Sequence, residues 1–130
     1  MIEFHLDPRS GVATYLQIVR QVQDALRLGT LDVGDQLPTV REVVADLAVN
    51  PNTVAKAYRE LEHEGLVIAR QGRGTFIAST LAPASLQHHA ELRREFERWI
   101  ASAQRAGLDE DSIRALLATT LRESLARRVA

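Results

Sequence analysis

Apolar residues recur at helical spacing in the first half of the chain, and turn residues mark where the helices end. The apolar positions from Ala13 to Leu28 lie three or four residues apart, and Gly29 follows as a stop, so a first helix is predicted there. Residues 30–38 carry a glycine and end at a proline, which indicates a loop or a very short strand. Thr39 and Glu42 have the spacing of a capping box and predict a second, short helix that ends near Ala48.

A third helix is predicted from Asn50 to Gly65. Asn50 suits the N-cap, Pro51 suits the first helical position, and Gly65 can close the far end in a left-handed conformation. One stripe of this helix is suited to a core and contains Val54, Tyr58 and Leu61. The opposite stripe is polar and contains Asn52, Lys56, Arg59 and His63. Amide and cationic groups suit phosphates and base edges, although a solvated face is the common alternative for an amphipathic helix.

After Gly65 the pattern changes to short runs rich in β-branched and aromatic residues. These runs cover residues 66–70 and 75–79, and the glycine-bearing turn QGRG lies between them. They predict a β-hairpin whose tip presents Arg70, Gln71 and Arg73. Three helices followed by a basic hairpin predict an α+β fold, with a winged helix-turn-helix domain over residues 1–79.

The rest of the chain predicts a linker and two helices. Residues 80–90 have the composition of a linker that runs into a helix, and residues 91–130 contain two apolar stripes separated by Gly107 and by Asp109, a predicted N-cap. These stripes carry more apolar surface than one helix pair covers, so a second copy of the chain is expected to cover them; the alternative is that they fold back on their own winged-helix domain. The candidate dimerisation residues are Leu92, Phe96, Trp99, Ile100, Ile113, Leu116, Leu117 and Leu121.

Composition limits the classes of function. The 130 residues suffice for one domain with an appendage, and the absence of cysteine excludes disulfides and thiolate metal sites. No apolar run approaches the roughly 18 residues of a membrane span, and the N-terminus lacks a signal-peptide pattern, so a soluble, cytoplasmic protein without a membrane partner is expected. The formal net charge of -1 does not by itself indicate nucleic-acid binding, so any basic surface must be local.

Enzyme functions find little support in the sequence. The glycines at 72 and 74 lack the third glycine of a dinucleotide fingerprint, and no serine lies in a nucleophile elbow, so neither an enzyme nor a cofactor is expected. His88 and His89 are adjacent and diverge by about 100° on a helix, which disfavours metal binding by one chain. A metal- or ligand-responsive sensor is nevertheless one alternative, and a winged helix used only for protein interaction is another.

Three segments carry a family resemblance. They are YLQIVRQVQDAL in the first helix, GDQLPTVREVVADLAVNPNTVAKAYRELEHEGLV across the next two helices, and RQGRGTFIA in the hairpin. Together they resemble the GntR family of bacterial transcriptional regulators. The short two-helix tail is similar to the YtrA-like subfamily, whose members are described as dimeric repressors often encoded beside transporter genes. The resemblance implies a homodimer that binds a double-stranded, inverted-repeat operator, with an unknown effector.

The resemblance also assigns DNA contacts. Arg41 matches the arginine that contacts DNA in the family, and Gly72 matches the wing-tip glycine. Asn52 and Thr53 match the polar residues that begin the recognition helix. Pro51 and Ala55 occupy positions where the fatty-acid-responsive branch has arginines, so base preference cannot be transferred.

The third helix is expected to enter the major groove by its N-terminal turn. Asn52, Thr53 and Lys56 are then nearest the bases, whereas Arg59 meets phosphate or, alternatively, pairs with Glu62 in solvent. The hairpin is expected to reach a neighbouring backbone or minor groove. The full set of predicted DNA contacts is Arg41, Asn50, Asn52, Thr53, Lys56, Arg59, Arg70, Gln71, Gly72, Arg73 and Thr75.

Overall fold

The computed structural model describes residues 1–83 and 88–129, which fall into two compact units, residues 1–86 and 87–130. The first unit contains α1 (Thr14–Leu28), α2 (Val40–Leu47), α3 (Pro51–His63), β1 (Val67–Arg70) and β2 (Gly74–Ile77), and the second contains α4 (His89–Arg105) and α5 (Glu110–Val129). The predicted α+β winged helix-turn-helix is confirmed. Residues 84–87 of the predicted linker lie outside the described residues.

Side-chain caps determine where α2 and α3 begin. Thr39 Oγ1 accepts a hydrogen bond from the Glu42 N–H at 3.1 Å, and the Glu42 carboxylate accepts one from the Thr39 N–H at 3.2 Å. The predicted capping box is therefore complete. Asn50 Oδ1 caps α3 in the same manner by accepting from the Asn52 N–H at 2.8 Å.

The C-terminal end of α3 leads the chain directly into the hairpin. Gly65 has a φ of 79°, a left-handed conformation that glycine adopts without steric cost, and the Leu66 N–H donates to the Leu61 carbonyl at 3.0 Å. Leu66 is buried, so the chain is anchored to the core just before β1. The largest fully buried side chains of this core are Ile18, Val22, Leu26, Leu37, Val54 and Leu61.

The sheet of the first unit has more backbone pairing than a simple hairpin. β1 and β2 are antiparallel, with Val67 opposite Ile77. The segment before α2 also pairs with β2: the Leu37 N–H donates to the Thr75 carbonyl at 2.9 Å, and the Ile77 N–H donates to the Asp35 carbonyl at 2.8 Å. Residues 30–38 therefore include a short extended stretch, and β2 is hydrogen-bonded on both sides.

The N-terminal arm, the residues before α1, lies along that helix and is held there by two glutamines. Gln21 exchanges hydrogen bonds with the backbone of His5 at 2.9 and 2.6 Å, and Gln17 does the same with Asp7 at 2.8 and 3.0 Å. The two glutamines are four residues apart and so lie on one face of α1. Phe4 is buried, which fixes the arm to the core.

The second unit consists of α4 and α5. Asp109 Oδ1 accepts a hydrogen bond from the Ser112 N–H at 2.8 Å, which is the N-cap that the sequence predicts for the last helix. That hydrogen bond lowers the pKa of the Asp109 carboxyl. No helix in the described ranges is both long enough and apolar enough to cross a membrane.

Candidate nucleic-acid interface

The solvent face of α3 presents the predicted polar stripe. Asn52, Lys56, Arg59 and His63 are all exposed, and helical geometry places them within about 60° of one another around the axis. Thr53 is half-buried on the flank of the stripe. The structure thus brings the amide and cationic groups of the third helix together on one accessible face.

The N-cap of α3 restricts what Asn50 can offer to a ligand. Its side-chain oxygen accepts one hydrogen bond, from the Asn52 N–H, and the Asn50 amide NH2 group is a donor. Among the described residues no side chain accepts a hydrogen bond from that group. A contact of the Asn50 NH2 group with a ligand would leave the N-cap hydrogen bond in place.

The turn between α2 and α3 contains a residue in an unfavourable conformation. Ala48 has φ 55° and ψ 42°, the left-handed region, where a side chain with a Cβ costs about 1–2 kcal/mol. Its N–H donates to the Val44 carbonyl at 2.9 Å and closes α2. Val49, the next residue, packs against the core and helps to hold this turn. Arg41 lies at the opposite end of α2, exposed in the first turn.

A buried hydroxyl ties the start of α2 to α3. Tyr58 Oη donates to the Pro38 carbonyl at 2.6 Å, and both residues are buried. Burial raises the pKa of the Tyr58 hydroxyl well above its ordinary range, and the nearby Glu42 carboxylate raises it further. This hydrogen bond fixes the chain just before the capping box relative to α3, and Arg41 follows in the first turn of α2.

The hairpin tip is closed by its own backbone and supported from outside. The Arg73 N–H donates to the Arg70 carbonyl at 3.0 Å, and Gly72, between them, has a φ of 74°. Gln36 Nε2 donates to the Arg73 carbonyl at 3.1 Å from the neighbouring segment. Gly74 has a φ of 120°, which favours glycine, and a Cβ built there would lie 2.6 Å from that same Gln36 nitrogen, so the glutamine would have to move.

The predicted wing residues are positioned differently from one another. Arg70, Gln71 and Arg73 are exposed at the tip, whereas Thr75 is half-buried in β2. The Thr75 carbonyl is already used in pairing with Leu37.

The basic side chains of the first unit are available to an external anion. The ion pairs formed within residues 1–83 and 88–129 are Arg93–Glu97 and Arg114–Glu110, and both belong to the second unit. The alternative pairing of Arg59 with Glu62 is therefore not formed in this structure.

Lys56 contacts an aromatic ring. Its Nζ lies 4.0 Å from the centroid of the Tyr15 ring, a cation–π distance. Farther along the same two helices, Gln23 Nε2 of α1 donates to Oε2 of Glu64, which follows the last residue of α3, at 2.9 Å. Both contacts join residues 41 positions apart, so α1 and α3 run side by side in the same direction with their N-terminal ends together.

Comparison with known proteins identifies the family. A family model described as bacterial regulatory proteins, gntR family, matches residues 14–77, from the first residue of α1 to the last of β2. The chain is also 36% identical over 109 residues to the HTH-type transcriptional repressor YtrA of Bacillus subtilis, covering 83% of this chain and 84% of that protein. The chain belongs to the GntR family.

Solved structures of GntR-family proteins extend this likeness to the fold. YtrA from Sulfolobus acidocaldarius matches with a TM-score of 0.55 at 33% identity, covering 75% of this chain and 97% of that chain. The DNA-binding domain of AraR, solved in complex with operator ORX1, matches with a TM-score of 0.51 at 27% identity, covering 58% of this chain and 93% of that chain. GntR-family DNA-binding domains bind operator DNA, and this member is a DNA-binding transcription regulator, not an enzyme.

The alternatives receive no support from these relatives, which are named as transcriptional regulators. In the part of the chain that the structure describes, no three side chains of histidine, aspartate or glutamate are grouped so that they could hold a metal ion.

Three residues of this GntR-family site were not found by sequence reasoning. Tyr15 contacts Lys56, Gln36 supports the wing, and the Tyr58 hydroxyl bonds Pro38. Tyr58 was predicted as a core residue, but the partner of its hydroxyl, Pro38, comes from a distant segment. No local pattern around Gln36 indicates that it reaches the hairpin.

Proposed function

We propose that this protein is a homodimeric repressor that binds an inverted-repeat operator through α3 and the wing. The observation that carries the proposal is the exposed polar stripe of α3, whose cationic members make no ion pair within the described residues. Unpaired cations on a helix of this kind supply phosphate contacts and base-edge donors. The repressor named YtrA is similar over most of its length, which supports repression as the mode of action.

Charge along the third helix supports docking by its N-terminal half. Lys56 and Arg59 lie in the first two and a half turns, whereas Glu60, Glu62 and Glu64 cluster at the far end. Carboxylates close to DNA would be repelled by the phosphates, so the acidic end should lie away from the duplex. The N-terminal turn also carries the positive end of the helix dipole, which favours approach to phosphate.

Within this proposal, each contact has a defined role. Asn52 lies near the middle of the stripe and faces base edges, Thr53 lies on one flank, and Arg59, at the opposite edge, meets phosphate. Arg41 contacts the backbone from the first turn of α2, as does Asn50 through its amide. The wing residues Arg70, Gln71, Gly72, Arg73 and Thr75 are assigned to a neighbouring backbone or minor groove.

The dimer interface is assigned to residues 91–130, within the second unit. On α4 the side chains of Leu92, Phe96 and Trp99 remain 60%, 44% and 37% exposed, and the Phe96 and Trp99 rings stack at a centroid distance of 6.1 Å. A contiguous exposed apolar stripe of this kind is typical of a protein interface. The remaining interface candidates are Ile100, Ile113, Leu116, Leu117 and Leu121, of which Leu116 and Leu121 are exposed and the other three are half-buried.

In vitro selection from a random duplex library tests the operator. We expect enrichment of an inverted repeat with half-sites about one helical turn, or a multiple of it, apart. Binding to the enriched duplex should weaken steeply with salt. Flat binding to all duplexes, or enrichment of a single half-site, would contradict the proposal. The regulated genes, including any transporter operon, would then be found by locating the repeat in the genome.

Substitution of Trp99 tests the dimer. Trp99→Asp places a carboxylate in the apolar stripe, so the protein should become monomeric and bind the selected repeat much more weakly. Arg98→Asp is the matched control, because Arg98 is adjacent, exposed and about 100° round α4 from Trp99, outside the apolar stripe, and its charge change is larger. Sedimentation velocity gives the mass of each variant. A Trp99→Asp protein that remains dimeric would place the interface elsewhere.

A further inference from the structure

The only lysine of the chain is held at one edge of the recognition helix. Lys56 Nζ lies over the Tyr15 ring of α1, so its ammonium group is drawn toward the flank of α3 that faces α1. By helical geometry Lys56 is about 40° round the axis from Asn52 and about 60° from Arg59. Asn52 and His63 therefore lie in the middle of the polar stripe, and Lys56 and Arg59 lie at its two edges.

The contact is also at the end of the domain that would meet DNA. Tyr15 belongs to the first turn of α1, and Lys56 belongs to the second turn of α3, whose N-terminal ends lie together. When a helix enters the major groove, the middle of its exposed face points to base edges and its flanks approach the phosphates that line the groove. The sequence prediction placed Lys56 nearest the bases; the Tyr15 contact draws it toward a phosphate instead.

We propose that Tyr15 is a positioning residue that holds Lys56 against a backbone phosphate on the α1 flank of the recognition helix. This inference rests on the proposed docking of α3 in the major groove. It assigns to α1 a part in DNA binding that requires no direct contact between α1 and DNA.

The chemistry of the contact suits this role. A ring face attracts the ammonium group through its quadrupole and uses none of the three N–H donors, which stay free for phosphate oxygens. A lysine that is already held loses less rotamer freedom when it binds. An exposed cation–π contact of ordinary strength corresponds to about a two- to fivefold change in Kd.

A double-mutant cycle separates positioning from a general effect on the fold. Tyr15 is half-buried and packs against the core, so Tyr15→Leu keeps apolar contact there but removes the aromatic face. Tyr15→Phe keeps the face and loses only the hydroxyl. Fluorescence anisotropy would give the Kd of the full-length wild type, both Tyr15 variants, Lys56→Ala and Tyr15→Leu/Lys56→Ala. The probes are the selected duplex and a scrambled duplex of equal length at two salt concentrations, below the melting temperature of every variant.

We expect Tyr15→Leu to weaken binding about two- to fivefold on both duplexes, with no further loss in the Lys56→Ala background. Tyr15→Phe should bind like the wild type. Lys56→Ala should weaken both duplexes by similar factors and reduce the salt slope by about one.

Three results would overturn the inference. Equal weakening by Tyr15→Leu in both backgrounds would show that the ring acts through the fold. Unchanged or tighter binding by Tyr15→Leu would show that the ring does not prepare Lys56 for DNA. A loss on Lys56→Ala confined to the selected duplex would return Lys56 to a base contact. A wild type that does not distinguish the two duplexes would instead contradict the proposed function itself.

Discussion

The hydrogen bond from Tyr58 to Pro38 allows a quantitative test of how the recognition helix is held. Tyr58→Phe removes the hydroxyl and leaves the ring in place, so little packing is lost. The 2.6 Å hydrogen bond disappears, and the Pro38 carbonyl is left in a buried site without a donor. Leaving a buried acceptor unsatisfied costs about 1–3 kcal/mol. We therefore expect the free energy of unfolding to fall by about 1–2 kcal/mol.

Thermal denaturation followed by circular dichroism measures this loss. For a unit of this size, a loss of about 1–2 kcal/mol lowers Tm by about 4–16 °C. Tyr15→Phe is the matched control, because it removes the only other tyrosine hydroxyl, and that hydroxyl makes no hydrogen bond to the residues that the structure describes. The Tm of the control should change by no more than a few degrees.

The same residue predicts how stability depends on alkaline pH. The folded-state pKa of Tyr58 is raised, whereas in the unfolded chain it is about 10. The unfolded chain therefore releases the proton first, so this contribution to stability is complete below about pH 10 and is lost as the pH rises further. Tyr58→Phe has no hydroxyl at this position, so its free energy of unfolding should lack this part of the decrease at alkaline pH. An unchanged Tm in Tyr58→Phe, or an alkaline loss equal to that of the wild type, would refute the reasoning.

Three further substitutions test other parts of the domain. Ala48→Gly should raise the free energy of unfolding by about 0.5–1 kcal/mol by removing left-handed strain, whereas Ala45→Gly within α2 should lower it by a similar amount; chemical denaturation measures both. Gly74→Ala should displace the Gln36 side chain from the Arg73 carbonyl and weaken binding to the selected duplex. Adding Gln36→Ala should relieve the clash but not restore binding, because the hydrogen bond to Arg73 stays absent. Fluorescence anisotropy measures both. In the wild type, protonation of Asp109 should weaken the cap of α5 and reduce helicity as the pH falls below about 4. Asp109→Asn should keep the cap and lack this part of the acid-induced loss, as measured by circular dichroism.

Local signals in the sequence accounted for most of the fold. The capping box at Thr39, the N-cap at Asn50 and the glycine at 65 each act within four residues of where they stand, so their structural effects could be read directly. The hairpin followed from the change of period after Gly65. These features determine helix and strand boundaries, and the structure reproduces them closely.

Contacts between residues far apart in the sequence could not be predicted from those local signals. Gln36 lies 37 residues from Arg73, and Tyr58 lies 20 residues from Pro38, so the bonds depend on how the elements pack and not on any local pattern. The polar stripe of α3 was predictable from periodicity alone. The position of Lys56 within it was not, because Tyr15 belongs to another helix.

The double pairing of β2 has a consequence for how such regulators diverge. β2 is bonded to β1 on one side and to residues 34–37 on the other, so the three residues between the strands, 71–73, are the part of the wing outside the ladder. Insertions, deletions and charge changes confined to that tip alter how far the wing reaches along a duplex. They leave the geometry of the recognition helix unchanged. In the proposed complex, the reach of the wing and the base preference of α3 are therefore two separate traits on which selection can act.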